Sequence, residues 1–419
     1  MLAYRLRPRQ LRRAARAPIV RRRLIADHRK VSILDSPQTT QLQLRPGIIE
    51  LNWGQPDPEL LPKEAVSSAA AAVLARVGGD ALSYGAAAGA GPLLAWLRAH
   101  IAQTEPQAVA ADEIAITAGN SDAIDQVCTL FTQAGDVVLV ESPSYHLALR
   151  IMRDHPLRLV PVATDEHGLQ VELLAQTVHD LQRAGSNVRM LYTVPTFHNP
   201  TGVSLSAERR LALVQLAQQA GFFIVEDDVY RELHYDAPAP PALWTLAPRG
   251  TVLRLGSFAK SLAPGLRLGW INGSAQQVRR LVDGGLRDSG GGVNHLTAMV
   301  AGELCTTGGF ELYVQRFRNA YRERRNALLA ALSEQMPAGC SWQVPAGGFF
   351  VWVTLPAGLD ATALLPHAEA AGMAFIPGAN FHLDGRGSNT LRLAFSLYPP
   401  QELVHAAQRL GKAVRLLHA

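Results

Sequence analysis

The chain has 419 residues, of which 48% are hydrophobic and 18% charged. This is long enough for two or three domains with a sizeable core, and too apolar for a disordered chain. The formal charge of +5 is misleading: residues 1–30 hold ten arginines and Lys30 against a single acid, Asp27, and the remainder is net negative. A basic tail is not a nucleic-acid-binding body.

In chain order, residues 1–45 form a basic extension without apolar periodicity. A plain solvated tail, a targeting segment and an electrostatic docking arm are its three readings. Leu61–Val77 predicts a helix entered through Pro62. Strands are then expected at Glu113–Thr117, Asp136–Val140, Leu157–Pro161, Arg189–Tyr192, Phe222–Glu226, Thr251–Leu255 and Leu266–Ile271. Helices at Asn120–Phe131, Tyr145–Arg153, Leu169–Arg183 and Ala207–Ala220 separate them. Short, wholly apolar strands between helices of this length imply an α/β body around a mainly parallel seven-stranded sheet, covered by helices. Long helices follow near Asn294–Cys305 and Glu311–Met336. Strands at Gly348–Thr354, Met373–Ile376 and Thr390–Phe395 then indicate a smaller α+β domain. The expected division is 46–90 as an N-terminal segment packing with the small domain, 91–295 as the large domain and 296–419 as the small one.

No apolar run reaches roughly 18 residues without a charge, so no membrane span is expected. Cys128, Cys305 and Cys340 are far apart in sequence. They predict neither a disulfide framework nor a metal site, and they suit a reducing, cytoplasmic compartment.

Lysine is rare. Only Lys30, Lys63, Lys260 and Lys412 occur among 40 basic residues. Lys260 lies in an apolar, glycine-bearing stretch, Ser257-Phe-Ala-Lys260-Ser261 followed by Pro264-Gly-Leu-Arg267. Desolvation there lowers a lysine pKa and favours imine chemistry, although a lysine reaching solvent from a strand end would read the same way. Ser257 and Arg267 are candidates for an anion. Glu226, Asp227 and Asp228 close an apolar strand, with Tyr230 beyond, at the kind of strand end where α/β sheets bind ligands. Pro195-Thr-Phe-His-Asn199-Pro-Thr-Gly202 is a stiff turn that fixes Asn199. Gly119, Asn120 and Ser121 open a helix whose free N–H groups suit a phosphate. Tyr145 follows the next strand and could stack on a flat ring. Arg392, inside an apolar strand, suits a carboxylate partner. The glycines in Asp288-Ser-Gly-Gly-Gly-Val-Asn-His295 permit either a pocket loop or a plain connection.

The first six of these motifs, in their order along the chain, resemble the aspartate-aminotransferase superfamily of pyridoxal-phosphate (PLP) enzymes of fold type I, over roughly residues 48–417. Within it the chain looks most like the 2-aminoadipate, kynurenine and aromatic aminotransferases, and like the C-terminal domain of MocR-type regulators. The resemblance implies PLP on Lys260 as a Schiff base and proton shuttle. It implies Asp227 on the ring nitrogen, with Asp228 as the alternative, and Tyr230 and Asn199 on the ring oxygen. Tyr145 would stack on the ring, and Gly119, Asn120, Ser121, Ser257 and Arg267 would hold the phosphate. Arg392, Gly54 and Asn199 would meet the substrate. Tyr84 would reach the phosphate of a neighbouring subunit, implying a homodimer with shared sites. Many relatives carry Ser-Gln where this chain has Asn120-Ser121, which puts the side-chain contacts of that turn in doubt.

The activity so implied is ping-pong transfer of an amino group from an amino acid to a 2-oxo acid, with no nucleic acid, membrane or metal involved. The alternatives are another PLP reaction (a lyase, decarboxylase or synthase) on the same scaffold, or a PLP-sensing regulator without its DNA-binding domain. His198, His234, Tyr235, Phe349 and Phe350 flank the motifs as pocket or packing residues.

Overall fold

The alternation of short apolar runs and helices produces one eight-stranded sheet. A computed structural model describes residues 42–418. The arginine-rich stretch through residue 41 lies outside the described residues. From one edge the strand order is Ile114–Thr117, Gly269–Asn272, Val252–Ser257, Phe223–Asp227, Val188–Thr193, Val137–Ser142, Arg158–Asp165 and Gly168–Leu169. Gly269–Asn272 and Gly168–Leu169 run antiparallel to their neighbours and the other pairs are parallel. The eighth strand corrects the expected seven. It has only two residues, too few to show a period, and pairs with the end of Arg158–Asp165. The strand expected at Leu266–Ile271 starts later, because Pro264–Leu266 forms a 3-10 turn and Arg267 is left-handed at φ 49°.

Strand alternation sends residues to two covered faces. Ile116, Leu139, Leu191, Ile224 and Val252 pack on one side with the helices Gly91–Thr104, Val171–Arg183, Ala207–Ala220 and His295–Thr306. Val138, Val140, Met190, Val225 and Leu253 pack on the other with Asn120–Phe131, His146–Arg153 and Ala275–Val282. Local chemistry sets helix ends. Ser206 accepts from the Arg209 N–H at the start of Ala207–Ala220, and left-handed Gly221 ends that helix.

A second sheet of four antiparallel strands joins Ser341–Trp342, Phe350–Thr354, Thr390–Ala394 and Ile376–Pro377. Its core includes Tyr321, Leu328, Val351, Leu393 and Leu410. The 27-residue helix Gly309–Gln335 spans both cores, with Phe310 and Val314 in the first and Phe317 onward in the second. Near the N-terminus, Ile49–Glu50 pairs with Met373–Ala374 of the second body, whereas Lys63–Val77 packs beside His295–Thr306 of the first. By length and mean hydropathy (1.2) Lys63–Leu82 could cross a membrane. Ala69, Val73 and Ala81 on it are buried, whereas Leu74 and Leu82 are exposed.

The glycine run forms a close contact. A Cβ on Gly291 would stand 2.7 Å from the Gly85 carbonyl oxygen, and one on Gly292 2.2 Å from that of Ala86. The run is therefore packing for the loop that carries Tyr84.

Candidate active site

The parallel strands end together at one edge of the large sheet. Thr117, Ser142, Thr193, Asp227 and Ser257 are their last residues. Lys260 lies three residues beyond Ser257, and its Nζ donates to the Gly54 carbonyl at 2.7 Å. Desolvation, then Arg392 and Arg267, lower its pKa to about 8 against the opposing pull of Asp227. Gly54 is tight for a reason: a Cβ there would stand 2.5 Å from the Phe350 ring.

Asp227 is buried, with both oxygens engaged. Oδ1 accepts from Asn120 Nδ2 and Oδ2 from the Tyr192 hydroxyl, each at 2.6 Å. Burial raises its pKa to about 6, although the two donors and Lys260 pull downward. Asp228 belongs elsewhere. It accepts from Arg231 and from Arg254 Nε at 2.9 Å, and both arginines also reach Glu105, at 3.2 and 3.1 Å. Burial alone would raise Asp228, but these cations overcome it and hold it at about 2.

Helix Asn120–Phe131 opens at Gly119, φ +88°, without a side-chain cap. A Cβ on Gly119 would stand 3.0 Å from Arg267 Nη2, and that guanidinium donates to the Ala118 carbonyl at 3.1 Å. Ser121 is exposed beside it. The Ser257 hydroxyl accepts from the Ala259 N–H at 3.1 Å.

Arg392 lies between two aromatic faces, 4.2 Å from the Phe350 centroid and 4.9 Å from that of Phe381. It donates to Asn199 Oδ1 at 2.8 Å and to the Asn52 carbonyl at 2.6 Å. Its Nε is buried and has no partner. Burial lowers its pKa to about 10, so it stays charged near neutrality. Asn199 in turn faces the buried Tyr230 hydroxyl. Tyr145 lies within electrostatic reach of Asp227, Arg392 and Arg267, and burial pushes its hydroxyl up to about 12.

Contacts join Lys260 with Gly54, Asp227 with Asn120, Arg392 with Asn199, and Gly119 with Arg267, whereas Asp228 and Tyr84 stand outside them. Tyr84 is 85% exposed. Phe349 and Phe350 do belong to the site: Phe349 lies 5.8 Å from Lys260 Nζ and edge-on to Tyr230. His198 is packing of a polar kind, its Nε2 3.1 Å from buried Glu141, which also accepts from Thr193 and the Val194 N–H. Tyr235 is core, donating to the Gly348 carbonyl, and His234 bridges to Gly347. Tyr192 and Asn52 were missed. Tyr192 could have been found only from the pairing of its strand with Phe223–Asp227, and Asn52 acts through its backbone. Among the described residues no group of three or more His, Cys, Asp or Glu side chains could hold a metal.

A lowered-pKa lysine, a clamped carboxylate and a glycine-opened helix at a strand edge define an α/β enzyme built for a phosphorylated ring cofactor. Residues 46–410 match the model for aminotransferase class I and II. The chain is 36% identical to the 2-aminoadipate transaminase of Thermus thermophilus over 90% of this chain and 93% of that one. It is 33% identical to aromatic-amino-acid aminotransferase 1 of Thermococcus litoralis over 88% of each. The crystal structure of the Pyrococcus horikoshii kynurenine aminotransferase, in complex with PMP, superposes with a TM-score of 0.85 at 33% identity, covering 89% of this chain and 92% of that one. The protein belongs to the class I and II aminotransferase family of PLP enzymes, fold type I.

The residues present fit that cofactor. Gly119 keeps backbone close to Arg267 where a Cβ would intrude. Asn120 Oδ1 and Arg392 Nε are buried polar atoms without partners, on side chains that contact Asp227 and Asn199.

Proposed function

We propose that the protein moves the α-amino group of an amino acid to a 2-oxo acid with PLP as cofactor, in a ping-pong cycle centred on Lys260. When bound, the cofactor supplies the carbonyl that exchanges amino groups and a ring that takes up the electron pair left on Cα. Lys260 Nζ is the proton carrier. With a pKa of about 8, a fraction of it is neutral near neutral pH and can take a proton from the substrate Cα and return it. Asp227 supplies a fixed negative charge for the ring nitrogen. Arg392 holds the α-carboxylate through the N–H groups that Asn199 and Asn52 leave open, Nε among them. Asn199 and Tyr230 serve the ring oxygen, and Tyr145 the ring face. The opening turn of Asn120–Phe131, with Gly119, Ser121, Ser257 and Arg267, serves the phosphate. Gly54 brings the N-terminal segment over the lysine.

The observation that carries this reading is Lys260 itself: a half-buried amine whose Nζ donates to the Gly54 carbonyl beside the Phe349 ring, with a pKa that desolvation, Arg392 and Arg267 lower. Exposed Tyr84, with Leu82 and Leu286 also exposed, supports a homodimer in which each subunit completes the other's site. The three cysteines without disulfides suit a cytoplasmic enzyme.

The test is a single-turnover half-reaction. The PLP-loaded protein is offered single amino acids without oxo acid, beginning with aromatic donors and 2-aminoadipate. Stoichiometric 2-oxo acid together with pyridoxamine phosphate supports transamination and names the donor. Product without pyridoxamine phosphate overturns it in favour of another PLP reaction. Borohydride reduction and peptide mapping should place the cofactor on Lys260 and find none in Lys260→Ala; labelling of any other residue removes the lysine assignment.

A further inference from the structure

Asn120 opens its helix where a phosphate-binding residue is expected, yet its side chain points away from that task. Nδ2 donates to Asp227 Oδ1 at 2.6 Å, while Oδ1 is buried without a partner. An ionised carboxylate only accepts hydrogen bonds, so the amide must turn its NH₂ toward Asp227. That leaves its carbonyl unsatisfied in the interior, an arrangement that packing alone would not favour. On the other side, the Tyr192 hydroxyl donates to Oδ2 at 2.6 Å. The two donors come from separate elements, the helix Asn120–Phe131 and the strand Val188–Thr193. Two bonds to two oxygens from different directions fix the rotation of the carboxylate.

Resting on the reading that Asp227 faces the cofactor's ring nitrogen, we propose that the Asn120 side chain is a positioning group for Asp227, clamping its carboxylate opposite Tyr192, and is not a phosphate ligand. Its effect adds to a crowded field. Lys260 favours the ionised carboxylate, Asp228 opposes it, and the buried hydroxyls of Tyr145, Tyr192 and Tyr230 are also coupled to it. Burial pushes Asp227 up and the Asn120 and Tyr192 donors bring it down. Asn120 thus helps keep the acid ionised at working pH.

The experiment uses the dimeric or monomeric holoenzyme as purified and follows cofactor absorbance against pH, with binding of inorganic phosphate to the cofactor-free protein measured alongside. Asn120→Ala should move the acidic transition of the absorbance titration upward by about one pH unit, as expected for loss of one bond to a charged acceptor. Its affinity for inorganic phosphate should stay within about twofold. Tyr192→Phe should move the same transition in the same direction, and Arg267→Ala should weaken phosphate binding. Asn120→Ser replaces the alanine variant if that one does not fold. An unmoved transition with phosphate affinity reduced tenfold or more, in either Asn120 variant, overturns the proposal and returns Asn120 to the phosphate. A different result marks failure of the underlying reading: if Asp227→Asn leaves the titration of the holoenzyme unchanged, Asp227 does not face the ring.

Discussion

Asp227 and Asp228 are neighbours in sequence with opposite surroundings, and the period of a strand is the cause. Successive side chains point to opposite faces. Asp227 follows Val225 toward Tyr192 and Asn120, whereas Asp228 follows Glu226 into a buried cluster with Arg231, Arg254 and Glu105. The two should separate in mutation. Asp227→Asn should fold and lose turnover on the order of 10²-fold, the scale of a lost preorganised charge. Asp228→Asn leaves Arg231 and Arg254 with Glu105 as their remaining close carboxylate and should lower stability, by less than the roughly 3–5 kcal/mol of a fully unpaired buried charge. Thermal melting beside steady-state kinetics reads both; a destabilised Asp227→Asn with an unaffected Asp228→Asn would exchange the roles. The pH dependence of stability also differs. Asp228, held at about 2, contributes stability that is present above the ordinary carboxylate range and lost as pH falls through about 2. Asp227, raised to about 6, makes the cofactor-free fold lose stability as pH rises from the ordinary carboxylate range through about 6.

At the scale of elements, the turn into Asn120–Phe131 depends on one glycine. Gly119 has φ +88° and ψ 172°, a region essentially restricted to glycine, and a Cβ would also press on Arg267. Gly119→Ala should cost about 1–3 kcal/mol in local strain and weaken PLP binding, read as a higher Kd. A variant with native PLP affinity would remove this turn from the cofactor site. Elements of this kind were legible from sequence. Asn120–Phe131 and Ala207–Ala220 have the bounds that their pattern predicts, because a glycine turn or a Ser cap stands beside an apolar run. Gly91–Thr104, Ala275–Val282, Ala361–Ala370 and Pro400–His418 were not assigned, and Pro366 inside the third works against the reading of a helix there. The site was legible as a set of strand-end motifs. Its cross-links were not. Whether Tyr192 meets Asp227 depends on the register that sets Tyr192 beside Val225, and whether Asn120 meets a phosphate or a carboxylate depends on how helix and strand pack. Those are distances between segments far apart in the chain, and local pattern carries no record of them.

At the scale of the whole molecule, the question is what an exposed Tyr84 does on a loop so firmly held. Gly85 lies against His295, and Gly291 and Gly292 lie against the Gly85 and Ala86 carbonyls. Tyr84 therefore projects from fixed backbone, with Leu82 and Leu286 exposed as well (67% and 65%). Exposed apolar side chains on a rigid surface suit association with a second copy, in which Tyr84 would reach the partner's phosphate site. Complementation decides this. Lys260→Ala homodimers should be inactive, and Tyr84→Ala homodimers impaired through weaker PLP binding. If the sites are shared, a co-expressed heterodimer of the two variants collects both lesions in one site and leaves the other intact. Random pairing then restores roughly a quarter of wild-type specific activity, more than either parent shows at limiting PLP. If each chain completes its own site, Tyr84→Ala alone is fully active and the mixture simply averages its parents. A monomer in sedimentation at assay concentration, with full activity, excludes sharing outright.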